Sequence, residues 1–201
     1  MMRFGIFGKF CLCFWLLFEP LRAEFILKSY QEIKNQRVIR QNYEESCGAA
    51  GLATLLNLLE NRNFNELDLL KIMSEKEMNT DMVSFADLNE AVQKLGFASN
   101  AYLIHRNLLD KFIQIPILVK IEDDPRYPHF VVIINHKGDY LQVLDPSFGE
   151  YTSSKRQFFS IWDRNEQGGY ALIVAPQSEL NKLELKLPHT LNLTFSPFSL
   201  Y

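Results

Sequence analysis

The chain has 201 residues, 47% of them hydrophobic, 22% charged and 13% aromatic, with sixteen Phe against nine Gly and eight Pro. That is room for one domain with a sizeable core, and a net charge of only -3 with this apolar content excludes collagen-like, low-complexity and largely disordered chains. No block of Lys and Arg is present to hold nucleic acid, and three Cys make no disulfide framework.

Residues 1–23 have the three parts of a secretory signal. Arg3 and Lys9 form a basic start, residues 10–18 (FCLCFWLLF) are almost purely apolar, and Leu21-Arg22-Ala23 offers a cleavage point. The apolar run is too short to span a bilayer as a helix, which takes about 20 residues. Neither Cys11 nor Cys13 sits where lipid attachment requires it. The expectation is an exported protein, periplasmic or secreted, with no membrane span after signal removal. Cleavage would leave Cys47 as its only thiol. In an oxidising compartment such a thiol persists either as a buried small hydrophobe or because its chemistry is needed.

Residues 24–40 read as an extended lead into the domain. From Cys47 the run CGAAGLATLLNLLE is a buried helix, its Ala and Leu covering most of the surface. Residues 65–76 form a second helix, with Leu67, Leu70 and Ile72 facing in and Glu66 and Asp68 suiting its N-terminus. Ser84 with Asp87 makes a capping box for a third helix, which Gly96 stops. The period then changes. Residues 97–104, 115–121, 130–134, 140–144 and 170–174 are short β-branched and aromatic strands, with helical turns near 107–112 and 157–162. His136-Lys137-Gly138-Asp139 reads as a hairpin turn. Helices first and antiparallel strands after predict an α+β fold over residues 24–176. In the tail, 177–201, Leu183, Leu185 and Leu187 alternate with charges, as do Leu191, Leu193 and Phe195 with polar residues, and an edge strand docked on the domain's own sheet is expected.

Cys47 stands where loop becomes helix. Unpaired N–H groups and the positive dipole end favour its thiolate. Gln41 supplies a neutral amide that, with the Cys47 N–H, suits an oxyanion hole; alone it reads equally as an exposed polar residue. For a base there are four histidines. His136 and His189 read as solvated, and His105 has no carboxylate in view. His129 opens the strand HFVVII after the turn DDPRYP, either as a structural ring or as one presented to a cleft. Counting through the hairpin, Asp145 returns to its neighbourhood, where a carboxylate would hold the ring; an Asp before Pro146 is also an ordinary turn former. Cys47, Gln41, His129 and Asp145 taken together point to a cysteine nucleophile. No compact Cys/His cluster suggests a metal, and no cofactor or ATP-binding region is expected.

Gln41 with Cys47-Gly48-Ala49-Ala50, then SFADLNEAVQKLGF, PHFVVI and VLDPSFG, resembles the bacteriocin-processing cysteine peptidases, family 39 of the papain-like clan. These double-glycine leader peptidases are often fused to the front of ABC exporters. The resemblance covers about residues 38–174. It implies a papain-like fold, with Cys47 as nucleophile, His129 as general base and acid, Asp145 as orienting carboxylate and Gln41 as oxyanion donor. Two features depart from it: Ser46 stands where an acidic residue is common, and no transmembrane or ATPase region follows. The sequence resembles the stand-alone, exported members. A thiol endopeptidase acting on a peptide or protein, with an export-system partner, is the first expectation. The alternatives are an amidase or transferase using the same triad, and a peptide-binding accessory module in an export or surface-assembly system.

Overall fold

The computed structural model describes residues 27–60, 62–74, 83–122 and 127–177. The expected signal segment and the tail beyond Gln177 lie outside the described residues. Short helix α1 (Tyr30–Lys34) precedes the buried helix α2 (Cys47–Glu60), then α3 (Glu66–Ser74) and α4 (Phe85–Lys94). Strands follow as β1 (Ser99–Ile104), β2 (Pro116–Ile121), β3 (His129–Asn135), β4 (Tyr140–Asp145), β5 (Gly149–Ser154) and β6 (Gly169–Val174). A 3-10 segment, Arg106–Phe112, lies between β1 and β2, and helix α5 (Lys155–Trp162) between β5 and β6. The strands make one antiparallel sheet in the order β1-β6-β2-β3-β4-β5.

Alternation along the central strands divides the core. Leu118, Phe130, Val132, Ile134, Leu144 and Leu172 meet α2 on one face. Ile117, Val119, Val131, Ile133, Val143 and Ala171 meet Phe158 and Trp162 of α5 on the other. A sheet covered on both sides accounts for strands that read as continuous apolar runs. α2 is enclosed between the sheet and α3 and α4, and its residues from Cys47 to Leu56 are all buried. The approach is closest at Gly51, where a Cβ would stand 2.9 Å from Leu118 Cδ1. This contact brings the N-terminus of α2, and with it Cys47, down onto the sheet.

The α+β expectation holds, and so do the Ser84–Asp87 capping box and the stop at Gly96, whose φ is +85°. Four details differ. Residues 30–34 are helical rather than extended, because Ser29 and Glu32 form a reciprocal capping box. On α3 Leu70 and Ile72 pack against the core as expected, but Leu67 is exposed and the fully inward residues are Leu69 and Met73, together with Glu66. His136 is fully buried, not solvated, with Nε2 3.0 Å from Gln142 Oε1. Strand β5, GEYTSS, is polar and was not expected. It pairs with β4 all along its length, from Tyr140↔Ser154 to Asp145↔Gly149.

Candidate active site

Four short segments meet at one end of the sheet. The α2 terminus contributes Cys47, which is nearly buried; the first helical hydrogen bond runs from Ala50 N to Ser46 O. The first N–H groups of the helix have no partner within it. β3 contributes His129 at its first residue, and β4 contributes Asp145 at its last. The hairpin joining these strands is in register from Asn135↔Leu141 to Val132↔Leu144, which returns Asp145 to the His129 end.

His129 Nε2 donates to Asp145 Oδ1 at 2.8 Å, and Cys47 is near enough to the same ring to help raise its pKa. With Nε2 committed, Nδ1 is the nitrogen left to serve the thiol. Burial of the ring disfavours its charge, but the hydrogen bonds to Asp145 and Cys47 and their negative charge outweigh that. The imidazole is held protonated up to about pH 9. Asp145 is 3% exposed, and the same Oδ1 accepts from Ser147 N at 2.7 Å and from Phe148 N at 3.2 Å. Asp145 thus has both kinds of contact that the sequence suggested for it. It forms the turn and it holds the histidine, and the turn bonds fix the carboxylate for the ring.

Gln41 sits on the segment that runs between α2 and the β4–β5 turn. Its N–H donates to Pro146 O at 3.1 Å, and its Oε1 accepts from Ser147 Oγ at 2.9 Å. Its Nε2 donates to the carbonyls of Tyr43 and Glu44, both at 3.2 Å. These are long bonds to neutral acceptors. An oxyanion at the Cys47 N–H would compete for the amide on favourable terms, because charge-assisted hydrogen bonds are roughly twice as strong.

Sequence reasoning missed three supporting residues. Arg40 Nε donates to Pro146 O at 2.8 Å and its guanidinium also bonds Ser147 O, so the turn carrying Asp145 is strapped to the segment carrying Gln41. Ser147 touches both Asp145 and Gln41. Glu66 reaches the loop before Cys47 from α3. The only signal for Glu66 was its spacing, three residues before Leu69 and seven before Met73 on the buried stripe. Away from this site, a depression of about 440 Å³ is lined by Arg106, Arg156, Phe159, Asp163 and Glu166. Arg106 there is bonded to Asp163 and Glu166, an arrangement that ties the loop before β6 to the 3-10 segment.

The Peptidase C39 family model matches residues 35–179, most of the chain. The chain belongs to this family of cysteine peptidases. It is 28% identical over 145 residues to the probable functional amyloid protease FapD of Pseudomonas aeruginosa, covering 69% of this chain and 63% of that protein. It is 25% identical over 145 residues to the lactococcin-G-processing and transport ATP-binding protein LagD of Lactococcus lactis, covering 72% of this chain and 19% of that one. Thus it spans under two thirds of the length of these relatives. Among solved structures, the peptidase domain of Streptococcus ComA, a bifunctional ABC transporter, superposes with a TM-score of 0.60 at 24% identity, over 70% of this chain and 98% of that one. A double-glycine-motif protease from an AMS/PCAT transporter gives 0.53 at 22% identity, over 70% and 91%. Both likenesses support the papain-like peptidase fold. Among the described residues, no helix is long and apolar enough to cross a membrane.

Proposed function

We propose that this chain is an exported cysteine endopeptidase in which Cys47, His129, Asp145 and Gln41 carry the reaction. The observation that carries the reading is His129 bonded through Nε2 to Asp145 while Cys47 lies near the same ring. The Cys47 sulfur attacks the peptide carbonyl carbon, and the oxyanion is received by the Cys47 N–H and the Gln41 amide. His129 gives its proton to the leaving amine as the C–N bond breaks. It then takes one from the water that cleaves the thioester, and Asp145 holds the ring through both steps.

The substrate we infer is a peptide or protein handled by an export or surface-assembly system. Support comes from the relatives: FapD is named an amyloid protease, and LagD a processing and transport protein. The extracytoplasmic location rests on the signal-like residues 1–23 alone. The test is the pH dependence of iodoacetamide alkylation at Cys47, read by peptide mass, in wild type and His129→Ala. Rapid alkylation well below pH 8.5, lost in the variant, supports the pair. A slow thiol indifferent to His129 would sink it.

A further inference from the structure

The carboxylate of Glu66 is 1% exposed, and no Lys or Arg is among its bonding partners. Burying a carboxylate without a cation is costly unless hydrogen bonds replace the lost water. Here they all come from one place. Asn42 N donates to Oε1 at 2.9 Å, Asn42 Nδ2 donates to Oε2 at 2.7 Å, and the Ser46 hydroxyl bonds Oε1. Asn42 N also lies 3.2 Å from Oε2. Although burial pushes this carboxyl upward, the hydrogen bonds from Ser46 and Asn42 prevail and it is held below the usual range, hence ionised.

The partners span the loop between Gln41 and Cys47 and include both its ends. The carbonyls of that loop, on Tyr43 and Glu44, in turn receive the Gln41 amide. A carboxylate on α3 thus sets the loop, and the loop sets both groups that would face a developing oxyanion. We infer that Glu66 is a positioning residue for acyl transfer at Cys47, a pin that fixes residues 42–46 so that the Cys47 N–H and the Gln41 amide converge on one carbonyl oxygen. This rests on the proposed function. Neither the His129–Asp145 bond nor the Cys47–His129 contact passes through Glu66, so the two halves of the site can be separated by experiment.

The test compares two reactions of Cys47 in the full chain. Alkylation by iodoacetamide needs a reactive thiol but no oxyanion hole; acylation by p-nitrophenyl acetate passes through a tetrahedral oxyanion. Glu66→Ala is expected to slow acylation about 10- to 100-fold, since small misplacements and lost donors cost on this order. Its alkylation rate and pH profile should stay within about twofold of wild type. Glu66→Gln, which keeps an acceptor oxygen, should recover most of the acylation rate, and Ser46→Ala removes one bond without leaving a buried group in doubt. Amide exchange at Asn42 and Tyr43 should accelerate in Glu66→Ala and remain unchanged in β3 and β4. Equal loss of alkylation and acylation, or unchanged acylation, would overturn the inference. Should wild type show no Cys47-dependent acylation, the proposed function fails. The exchange rates then decide whether the pin survives as a fact of structure: unchanged rates at Asn42 and Tyr43 would remove that too.

Discussion

β3 is flanked by two histidines, and its two ends have used the same side chain in opposite ways. At the start, His129 is partly open, bonded to a carboxylate and in reach of a thiol. Just past the end, His136 has no exposure; its Nε2 faces the neutral amide of Gln142, and its Nδ1 has no hydrogen-bond partner among the described residues. Gln142 passes the connection to Glu150, which Arg37 closes with a salt bridge. The charge at that end is compensated two bonds away from the ring, whereas at His129 it lies directly on it. The two ends differ in the ring's immediate partner, a carboxylate at one and a neutral amide at the other. Strand position alone does not set the ring's role.

The comparison breaks if the two ends respond alike to mutation. Asp145→Asn keeps an acceptor for the Ser147 and Phe148 amides but removes the charge on the ring. It should lower kcat by about 10- to 100-fold with the fold intact by circular dichroism, since papain-like triads with Asn in this place remain functional. The same substitution should bring the basic limb of kcat/KM, expected near pH 9 from His129, to lower pH, because losing the carboxylate lowers the histidine. The stability trace follows by linkage. The folded-state value of His129 is raised above its ordinary 6.5, so the stabilisation is complete below pH 6.5 and is lost as pH rises through about 9. Melting temperature should therefore fall by several degrees across that window in wild type and much less in His129→Gln.

At the other end, His136→Ala should keep hydrolysis within about threefold while costing about 2–3 kcal/mol, through a cavity and an orphaned Gln142. For a chain of this size that lowers the melting point by about 4–12 °C. The smallest effect should come from Gly51→Ala. Its Cβ would press on Leu118 Cδ1, the end of a side chain that can shift, and about 1 kcal/mol of helix propensity offsets the strain. Thermal melts within about 1 kcal/mol of wild type would fit. Gly51→Val has no such escape and should lift α2 and depress hydrolysis while leaving the His136 end unaltered.

Much of this was legible because it is written in periods and caps. The Ala/Leu run of α2, the Ser84–Asp87 box and the β-branched strands each state their structure locally. The partnership of Asp145 with His129 followed from counting residues around a hairpin. What stayed hidden depends on contacts distant in sequence. Nothing in the turn HKGD shows that Gln142 waits for His136. Strand β5 is polar because it lies at the sheet edge, so GEYTSS lacks the alternation that marks a strand. Glu66 reads as an acid at a helix N-terminus, a favourable place for one, and that local reason masked its bonds to Asn42 and Ser46. Gln41 could be proposed for the oxyanion from its spacing to Cys47, while the carbonyls that hold its amide could not.

The site draws its thiol from the first half of the chain and its imidazole and carboxylate from the second, across the full width of the fold. α2 has almost no polar side facing water, so it gains its stability from the sheet rather than standing alone. During synthesis Cys47 emerges well before His129 and Asp145, as a thiol with no base to pair with. Its reactivity is then a late product of long-range assembly, after β3 and β4 have closed against the helix. On the proposed export, the chain would cross the membrane unfolded with this pairing unmade and complete it only where it folds.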